Sequence, residues 1–248
     1  MAVLRLSFRV AWIVGLFLLC VPVHSLWRIL GLSSPWPRRF LGWVSRAAGM
    51  RVEVEGEPLR RDVLFVANHE SWLDILLLGG ASGTAFVAKA EVATYPLIGR
   101  LAGLNNTVFV ARSERRSVRG QADQLREALA SGQPVALFPE GTTDGGRDVL
   151  PFRASLLASL FPPLPGVRLQ PVALDYGAGA RDIAWVGDEA GLDNVKRVLS
   201  RPGTLRVRIR FLPPIDPAEA ADRKRLAEAS RARIVAALAA SGRAALPL

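Results

Sequence analysis

The first feature of the hydrophobic pattern is an uncharged stretch from Val10 to Trp27, about 18 residues where a bilayer-spanning helix takes roughly 20. Arg5 and Arg9 precede it and Arg28 follows it. Pro22, His24 and Ser25 weaken its second half, so a short or tilted span and a helix lying in the membrane interface both fit. Two arginines ahead of an apolar stretch also fit a cleaved secretory leader. Ser33-Ser34-Pro35-Trp36-Pro37 breaks this helix, and Trp36 and Trp43 beside arginines suit the headgroup level of a bilayer.

After Gly49 the period changes. Val52 and Val54 alternate with charged residues in a short strand, and Val63–Ala67 is a continuous apolar run of the kind buried on both faces. Residues 72–78 then read as a helix. Further apolar runs at 85–88, 107–111, 135–138 and 172–174 read as strands, separated by helical stretches at 117–130 and 154–160. Such alternation predicts an α/β fold with a mainly parallel central sheet flanked by helices. Leu205, Val207, Ile209 and Phe211 alternate with Arg206, Arg208 and Arg210, a strand whose basic outer face is expected to meet water or anions. Residues 217–240 carry Leu226, Ile234, Val235 and Leu238 at helical spacing. The expected organisation is a membrane-anchoring helical segment over residues 1–48 and an α/β domain over 49–248.

Composition sharpens this picture in two ways. Half of the residues are hydrophobic and mean hydropathy is +0.23, high for a chain with no membrane relationship. The formal charge of +10 favours an anionic partner, and a bilayer surface suits both properties. A nucleic acid is not expected, because no aromatic residues interleave with basic ones on a strand as stacking platforms require. Arg28, Arg38, Arg39 and Arg46 outnumber the arginines upstream of the apolar stretch, which places the globular part on the cytoplasmic side of the membrane. Cys20, the single cysteine, lies in that stretch, so an intrachain disulfide, a cysteine-based metal cluster and a catalytic thiol in the domain are excluded.

Candidate chemistry concentrates after two strands. Asn68-His69-Glu70-Ser71-Trp72-Leu73-Asp74 follows Val63–Ala67. His69 and His24 are the only histidines, so an imidazole base in the domain has to be His69. Positions five apart lie about 140° apart around an ideal helix, so His69 meets Asp74 only if it sits in the turn ahead of the helix. There Asp74 would fix the tautomer and leave the other ring nitrogen to take a proton. Alternatives are a helix-capping histidine beside a solvated acid, or a metal site at His69, Glu70 and Asp74, which lacks a second histidine; no metal is expected.

Phe138-Pro139-Glu140-Gly141-Thr142-Thr143 follows the strand at 135–138. Its glycine permits close backbone approach, and Glu140 and Thr142 can hydrogen-bond a polyol or headgroup. Arg112, at the end of the strand at 107–111, suits a phosphate. Pro171 reads as the entry of another strand. No G-x-S-x-G, Walker lysine or complete dinucleotide fingerprint is present.

In this order the four blocks resemble the glycerolipid acyltransferase family over roughly residues 63–176. Asn68, His69 and Asp74 match its first block, Phe109 to Arg112 the second, Phe138 to Thr142 the third and Pro171 the fourth. Lys89-Ala90-Glu91 and Tyr95-Pro96-Leu97-Ile98-Gly99 resemble the segment between the first two. The third block departs from the family, which usually continues with arginine and serine where Thr143 and Asp144 stand. The run from Glu140 through Arg147 and Leu150-Pro151-Phe152-Arg153 resembles the subgroup that acylates lyso-ornithine lipid.

The resemblance implies a membrane-associated enzyme that moves a fatty acyl group from acyl-CoA or acyl carrier protein to the free hydroxyl of 1-acyl-sn-glycerol-3-phosphate, with lyso-ornithine lipid as the alternative acceptor. His69 and Asp74 would be catalytic. Asn68, Arg112, Glu140, Gly141, Thr142, Arg147 and Arg153 would contact substrate, and the backbone amides of the turn at 68–71 would face the oxyanion. The acyl donor is a co-substrate, and no bound cofactor is expected. A non-catalytic membrane-binding protein of the same fold is the rival reading.

Overall fold

The computed structural model describes residues 1–110, 115–143, 145–146 and 148–241. Two helices come first, α1 (Ala2–Ile29) and α2 (Trp36–Ala47). The strands are β1 (Met50–Glu55), β2 (Val63–Ala67), β3 (Ala85–Lys89), β4 (Val108–Val110), β5 (Val135–Leu137), β6 (Arg168–Asp175) and β7 (Leu205–Phe211). Between and after them lie α3 (Leu73–Ser82), α4 (Pro96–Leu104), α5 (Arg115–Ala130), α6 (Ala180–Ile183), α7 (Gly191–Ser200) and α8 (Arg223–Ala239). The sheet order is β1-β7-β6-β2-β5-β3-β4, parallel throughout except where β6 meets β7. This is the α/β architecture expected from the alternating pattern.

β2 explains why the sheet is covered on both sides. All five of its residues are fully buried. Val63, Phe65 and Ala67 pack on the face shared with α2 and α3, while Leu64 and Val66 pack on the face carrying α5, α8 and the 3-10 segment Ala154–Leu160. Its apolar character is therefore continuous, as parallel strands demand. α2 crosses α3 at a contact of glycines: a Cβ on Gly80 would lie 2.6 Å from Gly42 Cα. Larger residues there would push the two helices apart.

Two sequence expectations are revised and a third is filled in. Pro171 lies inside β6 and not at its entry; the antiparallel register slips by one residue between Val172↔Phe211 and the bridge Leu169↔Ile215. A proline is tolerated at such an irregularity in the ladder. The arginines of β7 meet both water and anions, as expected, and the anions come from β1, which runs parallel beside them: Arg208 and Arg210 pair with Glu55 at 2.9 and 2.7 Å, and Arg206, 66% exposed, with Glu53 at 3.3 Å. Val235 faces outward on α8, whereas Leu226, Ile234 and Leu238 are buried.

α1 is one continuous helix through Pro22, about 42 Å long at 1.5 Å per residue. Its start is held against the domain and its end against the loop before α2. Near the start, Arg9 is buried and donates to the carbonyls of Leu199 (3.0 Å) and Gly203 (2.8 Å), and Arg5 Nε donates to Ser200 O (3.0 Å), so these arginines occupy the C-terminal end of α7. Near the end, His24 is buried with its Nδ1 2.7 Å from Ser34 Oγ. Leu6, Ile13 and Leu16 join the core between these points, while Phe8, Trp12, Leu18, Leu19 and Leu26 stay exposed.

Candidate active site

The carboxyl ends of three adjacent strands build the site, the position where open α/β sheets place their ligands. β2 ends at Ala67 and α3 does not begin until Leu73, so His69 lies in the connecting turn. That removes the helical separation between His69 and Asp74: His69 Nδ1 is 2.8 Å from Asp74 Oδ2. A carboxylate only accepts, so Nδ1 carries the proton and Nε2 is left to accept one. Asp74 occupies the first turn of α3, where negative charge is favoured, and its Oδ2 also accepts from the amides of Glu70 (2.7 Å) and Ser71 (3.0 Å). Its other oxygen accepts from the hydroxyl of Tyr176, one residue past β6.

Asp74 is completely buried, whereas the His69 side chain keeps 21% of its surface exposed. The imidazole is thus fixed from behind and open in front. It stacks on Phe138 with ring centroids 4.2 Å apart and planes 16° apart, and Phe138 stacks in turn on Phe86.

The third block takes a different form from the one expected. Glu140 is 2% exposed, and both its oxygens accept backbone donors: Oε1 from His69 N (2.8 Å) and Oε2 from Leu150 N (2.7 Å). It ties the His69 turn to the loop after β5 and presents no oxygen to a headgroup. Burial pushes its pKa up to about 8; the two amides act against that shift, and the nearby charges of Glu70 and Asp74 add to it. Gly141 has φ +72, and a Cβ there would sit 3.1 Å from Arg153 Cζ, so the guanidinium lies directly against the glycine backbone. Thr142 and Arg153 are exposed beside the site.

Two further expectations are corrected. Asn68, expected on substrate, is 1% exposed; it exchanges hydrogen bonds with Leu174, Nδ2 to O at 3.0 Å and Leu174 N to Oδ1 at 2.8 Å. It locks the end of β2 to β6. The amides of the 68–71 turn do not face an oxyanion either: those of residues 70 and 71 go to Asp74 and that of His69 goes to Glu140. Arg112 and Arg147, the remaining expected substrate contacts, lie outside the described residues.

Some contributors escaped the sequence reading. Tyr176 is one of only two tyrosines and follows a buried strand, where its hydroxyl needs a partner, but nothing in the spacing names Asp74 as that partner. Thr143, which departs from the family pattern, donates to Trp185 O at 2.5 Å, and Trp185 N donates to Glu70 O at 3.1 Å. The loop before α7 is thereby fastened beside the His69 turn. Among the described residues no three His, Cys, Asp or Glu side chains converge as metal ligands.

Beyond the aromatic stack lies an apolar cavity of about 380 Å³, within the ~300–1,000 Å³ of small-molecule sites. Phe86 lines it from β3, Trp72 from the start of α3, Val21 and Phe40 from α1 and α2, and Leu101 and Ala102 from α4. The site thus pairs a partly exposed imidazole with a buried carboxylate, with an apolar cavity beyond the aromatic stack.

Comparison with known proteins names the family. The Acyltransferase family model matches residues 51–175. The chain is 37% identical over 236 residues to lyso-ornithine lipid O-acyltransferase of Rhizobium meliloti, covering 89% of this chain and 80% of that protein. It is 34% identical over 163 residues to 1-acyl-sn-glycerol-3-phosphate acyltransferase of Neisseria meningitidis, covering 65% of this chain and 63% of that one. The crystal structure of the 1-acyl-sn-glycerophosphate (LPA) acyltransferase PlsC from Thermotoga maritima shares the fold, with a TM-score of 0.68 over 98% of both chains at 22% identity. The chain belongs to the acyltransferase family and is a lysolipid acyltransferase of lipid biosynthesis.

Proposed function

We propose that the chain transfers a fatty acyl group from acyl-CoA or acyl carrier protein to a lysolipid hydroxyl, with His69 as general base and Asp74 as its orienting partner. His69 Nε2 takes the hydroxyl proton while the oxygen attacks the thioester carbonyl. Collapse of the tetrahedral intermediate breaks the carbon–sulfur bond, releases the thiol after protonation of the thiolate, and leaves an ester on the acceptor. No acyl-enzyme and no bound cofactor is required. The observation that carries this reading is the 2.8 Å contact from His69 Nδ1 to a carboxylate that is itself held by two amides and a tyrosine.

The apolar cavity behind Phe138 and Phe86 supports a place for the acyl chain. Thr142 and Arg153 are the described residues positioned to meet the acceptor headgroup. Arg112 and Arg147 are proposed there by resemblance alone.

Two acceptors fit. Lyso-ornithine lipid is favoured by the longer match to the relative of that name and by a threonine at position 143, where the family usually has arginine. 1-Acyl-sn-glycerol-3-phosphate is supported by the relative acting on it and by the exposed Arg153. Initial rates with each acceptor and one fixed acyl-CoA, measured side by side on the full-length enzyme, test the assignment. A preference of about tenfold or more, equivalent to ~1.4 kcal/mol, decides it; turnover of neither rejects both.

The enzyme works on the cytoplasmic face of the membrane in this reading, where thioester donors are made. α1 is held to α7 at its start, is bonded to the loop before α2 at its end, and keeps an apolar face exposed between them, which supports a helix lying in one leaflet over one crossing both. The positive charge suits an anionic membrane surface.

A further inference from the structure

Outside α1 and the loop that follows it, exposed large apolar side chains among the described residues are mostly isolated: Val54, Val186, Leu192 and Val235. One group is not. Tyr95, Leu97 and Ile98, at the start of α4, are 58%, 57% and 57% exposed, and Ile75 on α3 is 39% exposed. Apolar side chains this open within four positions of one another mark a contact surface and not chance exposure.

The place of this patch identifies what covers it. Ile75 and Ile98 both line the apolar cavity, together with Val21 and His24 of α1 and Trp36 and Phe40 of α2. The patch and the N-terminal helices are therefore two rims of one opening. A surface continuous with the apolar face of α1 meets the medium that α1 meets. Its charged neighbours agree: Lys89 and Arg100 flank the segment and are exposed, against one acid, Glu91. An apolar tip bordered by cations suits the boundary between acyl chains and anionic headgroups.

We propose that the segment from the 3-10 turn Ala90–Thr94 through the first turn of α4 inserts Tyr95 and Leu97 into the same leaflet as α1, so that the cavity opens sideways into the bilayer between α4 and the N-terminal helices. A lipid chain then slides from the leaflet into the cavity behind Phe86 without crossing water. The inference rests on the reading of the protein as a membrane-bound lysolipid acyltransferase and adds a second point of membrane contact to it.

The test places a fluorescent maleimide on Leu97→Cys, Leu18→Cys or Leu192→Cys in the full-length protein, where native Cys20 is buried and serves as the labelling blank. Leu18 lies on the exposed face of α1 and Leu192 on α7. Vesicles of phosphatidylethanolamine and phosphatidylglycerol carry doxyl-labelled lipid as quencher. Quenching at positions 97 and 18 but not at 192 is expected. Quenching at 18 alone overturns the insertion and leaves the membrane reading standing, and quenching at neither 97 nor 18 removes both. Equal quenching at all three also overturns the proposal, because position 97 would then be no different from a remote site. A functional arm uses Leu97→Asp, expected to cut turnover of vesicle-embedded lysolipid about fivefold or more while changing turnover of a short-chain, water-soluble lysolipid less than about twofold. Equal losses on both acceptors, or none on either, would contradict it.

Discussion

Tyr176 donates its phenolic hydrogen bond to the same Asp74 carboxylate that receives His69 Nδ1, so two side chains from different strand ends share one buried acid. The His69 turn is thus held from β6 as well as from its own helix. Tyr176→Phe keeps the ring in place and removes that donor from a buried carboxylate, a loss of ~1–3 kcal/mol. The expected outcome is a fall in kcat of about tenfold or more with KM little changed, checked by steady-state kinetics beside a circular dichroism spectrum that stays native.

Glu140 sets a pH dependence of stability. Its carboxyl holds a proton up to about 8 in the folded chain, while an ordinary glutamate releases it near 4.5. Between those values the folded state binds the extra proton, so stability falls as pH rises through the window. Glu140→Gln is neutral throughout and flattens that slope. Thermal unfolding at both ends of the window checks this, with the larger loss of Tm at high pH expected for the wild type.

Arg9 couples the membrane-facing helix to the domain by filling the C-terminal end of α7. Arg9→Met leaves those carbonyls without their donor and is expected to cost about 1–3 kcal/mol. The exposed Arg28, on the same helix, serves as the control, and Arg28→Met is expected to change stability by less than about 0.5 kcal/mol. Chemical denaturation in detergent compares the two.

Filling the cavity should shorten the acyl chain that the enzyme accepts. Ala102 lines it from α4, and Ala102→Phe is expected to lower kcat/KM for long-chain donors about tenfold or more while sparing short ones, since each methylene excluded counts for roughly 1–3 kcal/mol. A series of acyl-CoA lengths measured on both proteins checks the shift.

The architecture was legible because each strand carries its own signature: Val63–Ala67 is apolar without a break and proves to be buried on both faces. The His69 and Asp74 contact was legible as well, since the geometry allows it only from a turn and the turn is there. What stayed hidden depends on contacts distant in sequence. Glu140 reads as a substrate ligand in a motif, and only the fold reveals that residues 69 and 150 have claimed both of its oxygens. The arginines of β7 read as a face that meets water or anions, and only the fold names Glu53 and Glu55 of β1 as those anions. Arg5 and Arg9 read as charges flanking a membrane segment, yet their partners lie on α7, nearly two hundred residues away.

The most direct measurement is acyl transfer by His69→Ala, with the full-length protein in vesicles, one long-chain acyl-CoA, and both lysolipid acceptors present. Product ester and released thiol are quantified together. Loss of a positioned general base lowers the rate by about 10²–10⁴-fold, with α1-dependent vesicle binding unchanged. Ester formation at the wild-type rate would contradict the assignment of His69 as the base.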